Sequence, residues 1–201
     1  MGTAVGAVLA AIDELVAGHR IIGITGAPGA GKSTIAEALA RRLQGVVLPM
    51  DGFHLPQARL VELGRRDRMG APDTFDVDGF VRVLGEVRTA ATTVLAPAFD
   101  REREEPMPDA IAIRPEARHV IVEGNYLLLQ SGGWERVAPL LDVTVFIELE
   151  RTVRLKRLVR RHEDSGKELE DAIAWAFGSD EENAQLIAQT ARLADHVLRV
   201  D

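Results

Sequence analysis

The chain has 201 residues, 46% of them apolar, which suits a folded globule with a sizeable core and excludes a disordered chain. It contains no cysteine, which excludes a disulfide framework, a thiolate metal site and a cysteine nucleophile, and favours a cytoplasmic setting. Its formal net charge of −7 argues against a general affinity for nucleic acid or for an anionic membrane. This length fits one domain over residues 1–201.

The first segment, residues 1–16, is apolar with its apolar residues at helical spacing, so we predict an N-terminal helix packed on the domain. It lacks early basic residues, and Asp13 and Glu14 interrupt it. It is therefore a poor signal peptide, and it is too short to span a bilayer. We expect no membrane partner.

The segment that follows, residues 20–43, has the pattern of a strand, a glycine-rich loop and a helix. Its loop matches the pattern G-x-x-x-x-G-K-[ST] at Gly26, Ala27, Pro28, Gly29, Ala30, Gly31, Lys32 and Ser33. Backbone N–H groups of such a loop, together with the helix N-terminus, bind phosphate oxygens. We expect this loop and Thr34 to bind a nucleoside triphosphate, with Lys32 at the β- and γ-phosphates and Ser33 on Mg²⁺.

Strands and helices then alternate along the chain, which indicates an α/β fold with a parallel sheet. Further core strands are predicted at 46–50, 119–123, 143–149 and 196–200. Helices are predicted at 55–63, after an N-cap at Asp76, and at 151–162, 168–177 and 180–194. Residues 92–114 are predicted to form a small hairpin outside the main sheet, with residues 101–109 as an acidic loop.

Two carboxylates stand at the carboxyl ends of predicted core strands, at the edge where open α/β sheets bind ligands. Asp51 can accept the proton of an attacking hydroxyl or help to hold Mg²⁺, and it can also be an ordinary turn aspartate. Glu123 is expected to hold Mg²⁺ through water, the alternative being a surface carboxylate. His54, three residues after Asp51, can bond a substrate hydroxyl or be structural.

The predicted helix at 151–162 holds seven basic residues in an acidic protein. It is either a solvated basic face or part of a lid, over about 151–178, that closes on the triphosphate. Arg157 and Arg161 lie four residues apart and share a helix face. On the lid interpretation they stabilise charge on the transferring phosphoryl group, and they are therefore candidate catalytic residues with Lys32 and Asp51.

Several segments together resemble the P-loop small-molecule kinases that include uridine kinase, phosphoribulokinase and bacterial pantothenate kinase. The segment 50–54 looks like D-[GS]-F-[HYL], 70–76 like G-x-P-x-[ST]-[FY]-D, and 97–101 like the substrate loop P-x-[FY]-[DS]. Residues 122–124 match [ILV]-E-G, and Arg154 to Arg161 is similar to the arginine lid. The segments 70–76 and 97–101 look closest to a subgroup labelled nucleoside or fructose-transport-associated kinases.

This resemblance implies the P-loop nucleoside triphosphate hydrolase fold: a five-stranded parallel sheet in order 2-3-1-4-5, with helices on both faces and an arginine-rich lid. It implies transfer of the γ-phosphate of ATP, with Mg²⁺, to a hydroxyl of a small metabolite such as a nucleoside or sugar, and it makes a homodimer reasonable. On the acceptor side it places Asp76 and Arg101, and Arg68 is a further candidate there for clamping an anionic group, with His54.

Other functions stay open at this point. A pantothenate kinase-like activity is the first, although Arg101 stands where pantothenate kinases carry histidine. A non-catalytic nucleotide-binding module is the second. A GTPase is disfavoured because the chain has no N-K-x-D or T-K-x-D motif.

Overall fold

The computed structural model of the protein describes the backbone of residues 2–200 and the side chains of residues 8–200. The strands are β1 (Ile21–Gly26), β2 (Val46–Pro49), β3 (Val94–Asp100), β4 (Glu105–Ile113), β5 (Val120–Gly124), β6 (Val143–Leu149) and β7 (His196–Val200). The helices are α1 (Gly2–Leu15), α2 (Lys32–Leu43), α3 (Gln57–Glu62), α4 (Val77–Thr89), α5 (Arg151–Asp164), α6 (Leu169–Phe177) and α7 (Ser179–Ala188).

The main sheet has five parallel strands in the order β2-β5-β1-β6-β7. Counting only these core strands along the chain, the order is 2-3-1-4-5, so the predicted topology is confirmed. Strand β1 lies in the centre of the sheet, and all six of its residues are buried. Its carboxyl end leads directly into the glycine-rich loop and α2.

Helices cover both faces of the sheet, because side chains of successive residues in a strand point to opposite faces. Ile22 and Ile24 of β1 pack with apolar residues of α1 and α2. Ile21 points the other way and packs in a second cluster with residues of α4. This second cluster also contains the fully buried Trp134. The α/β fold class with two covered sheet faces is therefore confirmed.

The hairpin expected over residues 92–114 is present as an antiparallel pair of β3 and β4. The predicted loop over residues 101–109 is wrong in its second half, because β4 already begins at Glu105. Two prolines, Pro106 and Pro108, suggested a loop. Within residues 2–200, β4 pairs with β3 alone, so its other edge has backbone positions at which no N–H is required, and prolines are tolerated there.

Two other boundaries differ from the prediction. The helix predicted over 180–194 ends at Ala188, and the Thr190 hydroxyl donates to the carbonyl of Ile187 at the point where the chain leaves the helix. Strand β2 ends at Pro49, so Met50–Phe53 forms a single helical turn that carries Asp51.

Among residues 2–200, no helix combines the length and the apolar content that crossing a membrane requires.

Candidate active site

The glycine-rich loop turns tightly at the end of β1, and at Gly29 it leaves no room for a side chain. Gly29 has φ +79°, and a Cβ there would lie 2.8 Å from Leu158 Cγ and 3.0 Å from the carbonyl oxygen of Arg154. Gly31 has φ +91° and caps the start of α2. Positive φ turns backbone N–H groups inward, which forms the concave donor surface that phosphate oxygens require.

Lys32 is the first residue of α2 and is almost fully buried within this loop. Its Nζ donates to the carbonyl oxygen of Ala27 at 3.0 Å. Burial lowers the pKa of Lys32, while the neighbouring Glu123 and Asp51 carboxylates raise it. An ammonium group has three donors, so the bond to Ala27 leaves two for phosphate oxygens. Lys32 is thus in place to bind a nucleotide.

Glu123 lies at the end of β5, next to the end of β1, and is buried. Burial raises the pKa of its carboxyl group to about 7, whereas Lys32 opposes the rise and the Ser33 hydroxyl also favours the ionised form. A carboxylate and a hydroxyl beside a phosphate loop are the oxygen donors that Mg²⁺ accepts together with waters and phosphates. Ser33 and Glu123 therefore fit a Mg²⁺·nucleotide complex.

Asp51 follows β2 and faces the same cavity from the other side. Its Oδ2 pairs with Nη2 of Arg101 at 3.1 Å. Arg101 belongs to the turn between β3 and β4, and its side chain is 63% exposed. The pair lies at a solvent-accessible mouth, so an incoming molecule can approach Asp51 and the guanidinium group together.

His54 is buried beside Asp51, between the rings of Phe75 and Phe99 at centroid distances of 4.1 and 4.6 Å. Its Nδ1 lies 2.7 Å from the carbonyl oxygen of Asp51. A carbonyl can only accept, so Nδ1 carries the hydrogen. Burial lowers the pKa of His54, which favours the neutral ring and leaves Nε2 as an acceptor.

Helix α5 brings two predicted arginines to the phosphate loop. A Cβ on Gly31 would lie 3.5 Å from Nη1 of Arg157. Arg161 lines the central cavity, and its Nη2 lies 3.9 Å from Asp180. Both arginines share the face of α5 that is turned to the nucleotide side.

One central cavity of about 180 Å³ collects these groups. The predicted residues that line it are Pro28, Lys32, Ser33, Asp51, His54, Arg101, Glu123 and Arg161. A larger cavity of about 510 Å³ adjoins it and shares Phe99, Arg101 and Arg161 with it. The residues predicted to bind phosphate and those predicted for the acceptor side thus face one another across a small, polar space.

Two predicted acceptor residues do not line the central cavity. Arg68 is half exposed and pairs through both guanidinium nitrogens with Asp73. Asp76 accepts a hydrogen bond from the backbone N–H of Gly79 at 2.9 Å, which confirms its prediction as the N-cap of α4. Local hydrogen bonds engage both side chains, and an acceptor role for either stays a prediction.

Three cavity residues were missed by sequence reasoning, namely Asn125, Asp180 and Asn183. Phe75 and Phe99 also line the cavity, and both lie inside segments that carry the family resemblance. Asn125 follows Glu123 by two residues, and the strand-end rule could have included it. Asp180 and Asn183 begin a helix that had no feature to distinguish it from a solvated one.

The chain is similar to several known proteins. The model of the AAA domain family AAA_18 matches residues 22–182. A Schizosaccharomyces pombe protein named "putative uridine kinase" is 33% identical over 196 residues, covering 89% of this chain and 82% of that protein. A pantothenate kinase of Leifsonia xyli is 31% identical over 137 residues, 64% of this chain and 42% of that protein.

A solved structure from Silicibacter sp. TM1040, described as a "putative fructose transport system kinase", superposes with a TM-score of 0.85 at 36% identity. It covers 98% of this chain and 100% of its own. The chain therefore belongs to the AAA_18 family of P-loop AAA domains and is a small-molecule kinase.

Proposed function

We propose that this kinase transfers the γ-phosphate of ATP to a hydroxyl group of a polar metabolite of the nucleoside or sugar class. The observation that carries the proposal is the central cavity, where Lys32 and Ser33 face Asp51 and Arg101. Phosphoryl transfer depends on positioning two reactants and neutralising charge, and the two sides of this cavity supply both.

On the nucleotide side, the backbone of residues 26–34 binds the triphosphate. Lys32, Arg157 and Arg161 neutralise the charge that spreads over the transferring group. Ser33 and Glu123 would hold Mg²⁺, which neutralises and orients the phosphates when bound. Burial raises the pKa of Glu123 to about 7, and its neighbours Lys32 and Ser33 act against that rise by favouring the ionised form that binds a metal.

On the acceptor side, Asp51 is the carboxylate placed to receive the proton of the attacking hydroxyl or to organise the metal. Nε2 of the neutral His54 can accept a hydrogen bond from a second hydroxyl group of the substrate, such as a polyhydroxy compound carries. Arg101, held by Asp51 in the free protein, can bind a polar or anionic group of the acceptor. Phe75 and Phe99 supply flat apolar walls.

An acceptor panel tests this proposal. We would measure transfer of labelled γ-phosphate to nucleosides, fructose and other sugars, sugar phosphates and pantothenate, each with purified protein and Mg²⁺·ATP. We expect label in one class of hydroxyl compound, and no transfer by Lys32→Ala, because that variant removes the buried ammonium group at the phosphates. Labelled products that persist in Lys32→Ala would contradict the assigned role of the loop.

A further inference from the structure

Helix α5 is docked directly onto the phosphate-binding loop, and one buried arginine makes the polar part of that contact. Arg154 is 4% exposed, and its Nη1 donates to the carbonyl oxygen of Pro28 at 3.3 Å. The carbonyl oxygen of Arg154 and the side chain of Leu158 fill the space beside Gly29. The position of α5 and the shape of the loop are therefore linked through Arg154.

Glu181, in the first turn of α7, determines where Arg154 lies. Its two carboxylate oxygens bind two arginines of α5: Oε2 pairs with Nη2 of Arg154, and Oε1 accepts from Nε of Arg151 at 2.7 Å. Glu181 is 8% exposed. Burial alone would raise the pKa of Glu181, but the hydrogen bonds from both arginines hold it below its ordinary value, so the group is charged.

We infer that Glu181 is a positioning residue for the kinase reaction: it holds Arg154 against Pro28 and thereby sets the orientation of α5 over the phosphate-binding loop. The inference rests on the proposed function, in which Arg157 and Arg161 act on the phosphates. Glu181 touches neither nucleotide nor acceptor, and it acts only through Arg154 and Arg151.

The spacing of the arginines explains how this contact affects the phosphate-binding side of the cavity. Residues 154, 157 and 161 follow the i, i+3, i+7 pattern of one helix face. When Arg154 is held against the loop, Arg157 lies beside Gly31 and Arg161 enters the central cavity. If α5 rotated about its axis by the angle between successive residues, about 100°, both arginines would turn away from the phosphate-binding loop.

The residue before Glu181 secures the other end of α5. Oδ2 of Asp180 lies 2.7 Å from Nε2 of His162, and its Oδ1 lies 3.9 Å from Nη2 of Arg161. Two adjacent carboxylates of α7 thus bind the first and the last turns of α5. Since Asp180 also lines the central cavity, Glu181 is the member of the pair that can be changed without touching the site.

Glu181→Gln tests the inference, with Glu182→Gln as the matched control because Glu182 is the next residue and is exposed. The first readout is the affinity for a non-hydrolysable ATP analogue with Mg²⁺, measured by calorimetry. The second is kcat on the acceptor found in the panel. We expect Glu181→Gln to weaken analogue binding at least about tenfold and to lower kcat about 10- to 100-fold, as loss of arginine alignment would. Glu182→Gln should match the wild type in both.

Glu181→Gln leaves Arg154 buried without a counter-charge and can also lower the melting temperature. The double variant Arg154→Met with Glu181→Leu keeps the packing and removes both charges. If the pair only stabilises the fold, this variant regains wild-type affinity and kcat, which would overturn the inference. If Arg154 and Glu181 position α5, it regains the melting temperature while the losses of analogue affinity and of kcat remain.

Analogue binding needs no acceptor, so the two claims can fail separately. A wild type that binds the analogue but transfers no phosphate to any acceptor would refute the proposed function and leave the binding test of Glu181 intact. Unchanged analogue affinity in Glu181→Gln, in a wild type that does transfer phosphate, would refute the role of Glu181 alone.

Discussion

At the scale of single residues, Gly29 shows how backbone and packing meet at one position. Its φ of +79° lies in the left-handed region, and Leu158 and Arg154 occupy the space that a side chain would need. Gly18 has nearly the same conformation, with φ +83°, but among the described residues beyond its chain neighbours no atom lies within 4 Å of the position that a Cβ would take there. The two glycines therefore separate the cost of backbone strain from the cost of steric overlap.

We predict that Gly18→Ala destabilises the protein by about 1–2 kcal/mol, the cost of a left-handed conformation for an L-residue. Gly29→Ala should cost more and also weaken binding of an ATP analogue, because α5 must move off the loop. In both variants, thermal unfolding measures the loss of stability and calorimetry measures the affinity for the analogue. Equal losses of stability together with unchanged analogue affinity in Gly29→Ala would show that contact between α5 and the loop does not matter.

The sequence predicted some site residues well and others not at all, for physical reasons. The residue pattern from Gly26 to Ser33 is specific to one loop structure. The rule that ligands bind at strand ends predicted Asp51 and Glu123 as site residues. Arg68 was harder to predict because Asp73, five residues away, is a partner that competes with any ligand. No local pattern distinguishes a buried Glu181 from the exposed Glu182 beside it.

At the scale of secondary-structure elements, Asp142, which directly precedes β6, joins the start of the central strand β1 to the end of α4. Its Oδ2 accepts from the backbone N–H of Ile21 at 2.8 Å and of Arg20 at 3.1 Å, and its Oδ1 accepts from Arg88 at 2.9 Å. Burial would raise the pKa of Asp142, but these hydrogen bonds outweigh it and hold the pKa below its ordinary value. The ionised form therefore stabilises the fold.

The sign of the pH effect follows from this depressed pKa. The stabilisation is present above the ordinary aspartate pKa, and it is lost as pH falls through the lower pKa of the folded state. We predict that Asp142→Ala lowers the free energy of unfolding by about 1–2 kcal/mol at pH 7, since part of the side chain is exposed. Towards about pH 3 the difference from the wild type should shrink.

Urea unfolding at both pH values measures this difference, with the exposed Glu116→Ala as control. A destabilisation that is the same at both pH values would mean that the charge of Asp142 contributes nothing.

Element types were predictable because the apolar periodicity of a buried strand or an amphipathic helix depends on local sequence alone. Errors occurred where a distant partner decides the outcome. Strand β4 forms in spite of its prolines because it pairs with β3 on one edge and, in the part of the chain that the structure describes, with no strand on the other. The end of α7 is instead a local case, since the Thr190 hydroxyl donates to the carbonyl of Ile187 three residues earlier.

At the scale of the whole molecule, the cavity lies where three separate parts of the chain meet. The phosphate-binding loop extends from the central strand, the β3–β4 turn brings Arg101 to Asp51, and α5 is held over the loop by α7. The contact of Arg154 with Pro28 joins residues 126 positions apart, and that of Asn183 with Gly70 joins residues 113 apart. The sheet order was predictable from the family resemblance. These contacts were not, because periodicity indicates which face of a helix is buried but not which distant segment covers it.

In the proposed mechanism, Asp51 acts on the acceptor hydroxyl while the loop holds the nucleotide. The most direct test compares Asp51→Asn with the exposed control Asp67→Asn on the acceptor found in the panel. We predict that Asp51→Asn lowers kcat by about 10²- to 10⁴-fold, the usual contribution of a positioned acid–base group, and that it keeps the affinity for an ATP analogue. Asp67→Asn should match the wild type. A near-normal kcat in Asp51→Asn would contradict this mechanism and remove Asp51 from the chemistry.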